Sequence, residues 1–387
     1  MNVLHLARLC PYPATNGRER RVWETTKTLS DHGDVWLATP ASDIAYPADG
    51  VHHLPLSSKL LDSKLAAIYA WNASLIFGHS NPYHRAVSKR IVDATDAAGD
   101  KFDLVVSESP QLRHAAMNLA DRPGTSLLVN KHNSNFELLD AFLASSPAPG
   151  VLQERAVDSL RRFEQASINA ADAVVFQSNL DHKQFNVPPD THCAIIPNGT
   201  DYDDVRAGGD PEAVRRDLNL PTKDPVCVFI GSYDYGPNAA AAAFVDEQLA
   251  PELPVATFVV AGRNPPEKNS PNVVTPGFVE DLPGLLSLAD LALCPLFSGS
   301  GTKLKMLDYL AAGLPIVTTP VGTQGLPLVD GESALVATNA SAFVDAIRRL
   351  LDSPELADQI RSNGWNLAAE FDWDRLLSDY DDLLAEL

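Results

Sequence analysis

One stretch constrains this chain more than any other. Residues 288–294, LADLALC, are apolar over strand length and lead into Pro295–Thr319, PLFSGSGTKLKMLDYLAAGLPIVTT. Ser298-Gly299-Ser300-Gly301-Thr302 is a small, flexible loop. Lys303–Ala312 sets Leu304, Leu307 and Ala311 on one face at helical spacing and predicts a helix. Gly313 and Pro315 stop it, and Ile316-Val317 open another strand. Strand, small loop, helix, strand is the order of an open α/β domain.

That order suits an anion. The first amides of a helix have no internal partner, and the helix dipole favours negative charge there. Gly299 and Gly301 let the backbone approach a ligand. Lys303 and Lys305 stand in the first turn, where acids are the usual choice. Two readings stay open on the residues alone: a phosphate site, or a Ser-capped surface helix with two solvated lysines.

The same order opens the chain. Val3–Ala7 reads as a buried strand, Asn16-Gly17 as a turn and Arg18–Leu29 as a helix carrying Arg18, Arg20 and Arg21. Ligands of such domains sit beyond the carboxyl ends of the strands, where Asn16 and Gly17 lie. The arginines serve either a phosphate or a solvated helix face. Further strands are predicted over 35–39, 102–107, 126–129, 171–178 and 193–196, with amphipathic helical material over 58–98. A Pro-Asn-Gly turn at 197–199 precedes a linker with one short charged helix. A second series follows with strands at 226–232 and 257–261, and an Ala-rich helix after Gly236. Two helices fill 339–368. Phe371, Trp373, Leu376, Leu377, Tyr380 and Leu384 share the helical spacing of a last helix.

Length and charge narrow the function. At 387 residues there is room for two ordinary domains. A net charge of −20 argues against nonspecific nucleic-acid binding and against broad docking on an anionic membrane. The acid excess resembles that of proteins from salt-loving organisms. Cys10, Cys193, Cys227 and Cys294 have no metal-ligand spacing and read as buried residues of a reducing compartment. His52, His53, His79 and His84 have no carboxylate or Cys at ligand spacing. No leader precedes the first strand, and no run is long and apolar enough to span a membrane. The expected location is cytoplasmic, with peripheral contact at the inner membrane face left open by the apolar side of 58–98.

The segment GSGTKLKMLDYLAAGLPIVTTPVGTQGL resembles the donor site of retaining glycosyltransferases of family 4, which have the GT-B fold. The likeness extends along the chain. FIGSYDYGPN at 229–238 is similar to the family's F-x-G-S-M-D-Y-x-P-N, and IPNGTD at 196–201 to its I-P-N-G-x-D. The run from Asn130 to Asn135 is similar to D-x-H-N-x-E, and the N-terminal segment around Asn16-Gly17 to the family's P-x-x-x-G-G-x-x-R region. The resemblance implies an α/β chain of two Rossmann-like domains facing each other, 1–200 on the acceptor side and 201–368 on the nucleotide-sugar side. A C-terminal helix over 369–387 would cross back to the first domain.

It also implies the chemistry: transfer of a sugar, a hexose in many members, from a nucleotide-diphosphate donor to an acceptor with retention. No metal or other cofactor is expected, and the acceptor is not legible. The diphosphate falls to Lys303 and Lys305, phosphate or sugar to the amides of Ser300, Gly301 and Thr302, and the ribose to Asp308. Gly17, Asn16, Gly231, Ser232 and Arg263 complete the donor set, and 274–281 would read the base through backbone groups. His132, beside the transferred sugar, and Lys303 are the expected catalytic residues. Among the departures from the family, Ser300 and Asp308 replace two Glu eight positions apart, and Asn135 replaces the usual Glu. Rival readings are an epimerase or phosphorylase on the same fold, or a non-catalytic sugar-nucleotide-binding subunit.

Overall fold

The computed structural model of the chain describes residues 1–14, 16–40, 44–56, 82–143, 150–299 and 301–387, except the side chains at 82–84, 138, 141 and 142. It divides into two compact units, Met1–Pro197 together with Leu377–Leu387, and Asn198–Leu376. Both are Rossmann-like α/β domains.

In the first unit seven strands run β1 Asn2–Leu6, β2 Asp34–Thr39, β3 Val51–Pro55, β4 Leu104–Ser107, β5 Ser126–Lys131, β6 Ala173–Phe176 and β7 His192–Ile195. Their spatial order is β3-β2-β1-β4-β5-β6-β7, and every pairing is parallel. Parallel strands covered on both faces read as continuous apolar runs. Val3, Leu4, Leu6, Val105, Val106 and Leu128 are accordingly buried. Each such side chain contributes about 1.5–3 kcal/mol relative to exposure. The order reverses between β1 and β4, where Leu6 pairs with Ser107. That leaves a crevice beyond their carboxyl ends, flanked by helix Gly17–Ser30.

The second unit repeats the plan with β8 Val226–Ile230, β9 Thr257–Ala261, β10 Val273–Gly277, β11 Leu291–Cys294, β12 Ile316–Thr318 and β13 Leu335–Val336. The order is β10-β9-β8-β11-β12-β13, and the switch point falls between β8 and β11. The loop after β11 feeds helix Leu304–Ala311, most of whose side chains are buried.

Several elements differ from expectation. β3, β13 and helix Tyr202–Ala207 are additional. The last helix is broken into Trp373–Leu377 and Asp379–Ala385 at Ser378, where the chain passes into the first unit. Of the span 58–98, Pro82–Ala98 is helical; residues 58–81, His79 among them, lie outside the described residues. Among the described residues no helix is long and apolar enough to cross a membrane.

Candidate active site

At the second unit's switch point the strand ends are drawn together by glycines. Gly231 N–H donates to Ala261 O and Gly262 N–H to Gly277 O. Gly262 has φ +133°, and a Cβ there would lie 1.8 Å from Gly231 O. Only a residue without a side chain allows this approach. Ile230 N–H donates to the Tyr309 hydroxyl at 2.8 Å, which fixes helix Leu304–Ala311 against the end of β8.

Lys303 is the N-cap of that helix in extended conformation, and its own side chain makes no cap bond. Met306 N–H donates to Lys303 O at 2.8 Å, and among the described residues the Leu304 and Lys305 amides before it are left open. Lys303 Nζ donates to Gly301 O. Lys305 Nζ donates to Asn238 Oδ1 at 2.8 Å and lies 4.3 Å from the Phe229 ring centroid. Asn238 Nδ2 in turn donates to Ser232 O at 2.8 Å. Ser232, Asn238 and Lys305 thus meet beside Gly231, where a Cβ would come within 3.0 Å of Lys305 Nζ, and Lys303 is near enough to act on the charge of Lys305. Among the described residues neither ammonium has a carboxylate partner. Thr302 is backed by Gly325, where a Cβ would meet its hydroxyl. Ser300 lies outside the described residues.

Burial lowers Lys305 to about 8, and Lys303 pushes the same way; burial lowers Lys303 as well. The sign of the consequence follows directly. Lys305 carries its charge below about pH 8 and loses it above. A bound anion favours the charged form and raises the pKa. Nucleoside diphosphate affinity is expected to fall as pH rises through about 8, and binding at pH 8 to take up a proton. Calorimetry in buffers of different ionisation enthalpy reads that uptake; proton release on binding would contradict the assignment.

Arg263 is half exposed, with Nε 3.6 Å from Asp234 Oδ2. Asp308 is buried in the second turn of the lysine helix, and its Oδ1 accepts from Thr200 Oγ1 at 2.7 Å. Asp308→Asn keeps an oxygen for Thr200 but loses the charge. If Asp308 holds the ribose, this variant weakens a nucleoside diphosphate about tenfold and leaves pyrophosphate binding unchanged. Equal loss for both ligands, measured side by side, would remove Asp308 from the ribose site.

In the first unit, the Asn16 side-chain oxygen accepts from Arg18 N–H and Glu19 N–H. It is thus spent on capping the helix that Gly17 begins. Arg21 is buried and donates to Pro197 O, so it ties the end of the unit to this helix.

The centre of the crevice is a carboxylate the motifs did not reveal. Glu108 follows β4, is 3% exposed and accepts from His5 Nε2 at 2.7 Å, Asn130 Nδ2 at 2.6 Å and His132 Nε2. Burial alone would raise its pKa. The facing His132 and the bonds from His132 and His5 outweigh that and hold it well below the usual carboxylate range. His132 lies just past β5 and is 9% exposed. Burial lowers it, with Arg18 and Arg21 acting in the same direction. Its Nδ1 meets Gln177 Nε2 at 2.8 Å. A neutral ring with the proton on Nε2 satisfies both neighbours.

Glu164, in helix Gly150–Ile168, bonds to the segment after β5 rather than to Arg161 three residues before it. It pairs with Lys131, and it accepts from Asn135 Nδ2 at 2.6 Å and from Phe136 N–H at 3.2 Å. Arg161 lies instead over the Phe136 ring. Among the described residues no group of three or more His, Cys, Asp or Glu is arranged to hold a metal ion.

Comparison with known proteins adds a class to this geometry. Residues 224–353 match the family model described as Glycosyl transferases group 1. The chain is similar to D-inositol 3-phosphate glycosyltransferase of Corynebacterium aurimucosum, at 23% identity over 59% of the chain. The matched stretch spans 60% of that relative's length. The Rhodococcus erythropolis protein of the same name is 24% identical over 67% of the chain and 63% of its own length. Among solved structures, sucrose-phosphate synthase from Thermosynechococcus elongatus superposes with TM-score 0.76 at 17% identity, covering 100% of this chain and 98% of that one. Anabaena HepE in complex with UDP and glucose gives 0.71 at 15% identity, covering both chains fully. These two carry the GT-B fold.

Proposed function

We propose that the chain is a retaining glycosyltransferase that moves a sugar from a nucleotide-diphosphate donor to an acceptor hydroxyl. One observation carries this reading. The uncapped helix start at Lys303, with Lys305 and the glycine-closed end of β8, gathers positive charge that has no carboxylate partner among the described residues. The family match over 224–353 covers this same segment.

Lys303, Lys305 and the first helix amides would bind the diphosphate and stabilise the charge it gains on leaving. Lysines rather than a metal ion carry that role in the proposal. The C1–O bond to phosphate breaks, and the bond to the acceptor oxygen forms on the same face. The acceptor proton passes to the leaving phosphate oxygen. Asp308 holds the ribose, and His132 contacts the transferred sugar.

UDP and UDP-glucose are the first ligands to test, because HepE is known with both. A polyol phosphate is the first acceptor to test, after the curated relatives' names. A thermal-shift screen with UDP, GDP, ADP and their sugars decides the donor class, since a ligand of the folded state raises Tm. No response to any of them would remove the proposal.

A further inference from the structure

Glu108 has a place in the fold that neither the motifs nor the relatives assign. Resting on the glycosyl-transfer reading above, we propose that Glu108 is a positioning residue. It sets the tautomer and location of His132, with Asn130 and Tyr380 as its outer supports.

The hydrogen-bond directions follow from chemistry. An ionised carboxylate only accepts, so His5, Asn130 and His132 all donate to it. Asn130 is thereby oriented: Nδ2 faces Glu108, and Oδ1 accepts from the Tyr380 hydroxyl at 2.7 Å. Tyr380 belongs to helix Asp379–Ala385, so the last helix of the chain is wired to the crevice within the first unit. His132 donates from Nε2 to Glu108 and accepts at Nδ1 from Gln177. Both ring nitrogens are occupied. Any polar contact from His132 to a sugar is therefore made by its backbone, whose position the clamped ring fixes.

Packing alone does not explain such a cluster. A buried charge needs several donors to offset its desolvation, and apolar side chains would join the same strands without that cost. What the carboxylate adds is direction, because it holds one tautomer in one place.

The test uses Glu108→Gln and Tyr380→Phe in the full chain. The Gln amide presents a donor where an acceptor stood, so at least one neighbour loses its bond. Release of nucleoside diphosphate from the responsive donor is expected to slow about a hundredfold, as for a misplaced catalytic group. Affinity for the nucleotide should stay within about twofold, because Glu108 and His132 belong to the first unit and the proposed diphosphate residues to the second. Tyr380→Phe removes the bond to Asn130 together with the hydroxyl's bonds to Arg21 and Thr25, and should slow turnover about fivefold. Nitrogen-15 shifts should give His132 as neutral Nε2–H in the parent and as a tautomer mixture in Glu108→Gln. A folded Glu108→Gln with parent turnover and an unchanged tautomer would overturn the proposal. Should that variant not fold, a folded Tyr380→Phe at the parent rate would overturn it. If the parent binds no nucleotide and consumes no donor, glycosyl transfer itself fails. The nitrogen-15 comparison then still decides whether Glu108 sets the His132 tautomer.

Discussion

Replacing Lys303 and Lys305 together by Ala is expected to lower nucleoside diphosphate affinity at least a hundredfold. Hydrogen bonds from a charged donor are each worth about 1.5–3 kcal/mol, so losing two costs about 3 kcal/mol or more. The protein should stay folded. Among the described residues Lys303 bonds to its own loop and Lys305 to Asn238, so the helix keeps its Tyr309 anchor to β8. The buried ammonium of Lys305 is itself unfavourable, as its lowered pKa records. Titration calorimetry on a variant with parent circular dichroism measures the effect. A loss below about fivefold would move the diphosphate elsewhere.

Gly262→Ala is expected to have the largest effect on folding. At φ +133° a side chain is strained, at roughly 1–3 kcal/mol. The new Cβ would also overlap Gly231 O, which is backbone and cannot rotate away. Relief requires parting β8 from β9 where their ends meet Gly277, and overpacking adds about 1–3 kcal/mol. The sum is about 3 kcal/mol or more, a large part of the stability of an ordinary domain. Donor binding should weaken in whatever fraction stays folded, because Gly231 is next to Lys305. Urea unfolding followed in the second unit reads this; a midpoint equal to the parent's would mean the strand ends are not so closely joined.

The sequence made the two series of parallel strands legible because their central strands are continuous apolar runs. The loop at 298–302 was legible because glycine and serine there leave few alternatives. β3 was missed because half-exposed His52 and His53 interrupt it; His52 is held by a tilted ring contact with Trp36 and His53 by a bond to Thr39. β13 is two residues long and exists only through its pairing with β12. Glu108 stands in Ser107-Glu108-Ser109, which matches no motif. Its partners come from β1 and β5, brought together only by the fold. Glu164 is spaced along its helix for a pair with Arg161, whereas its partner Lys131 is distant in sequence. Such side chains take their roles from tertiary partners, which spacing along the chain does not reveal.

The central claim is sugar transfer with retention from a nucleotide-diphosphate donor. The most direct measurement is proton NMR of the anomeric signal while the protein consumes the donor selected by thermal shift. The account predicts nucleoside diphosphate release together with an initial sugar product of the donor's own anomeric configuration. A product of inverted configuration, or a donor that binds and is never consumed, would contradict it.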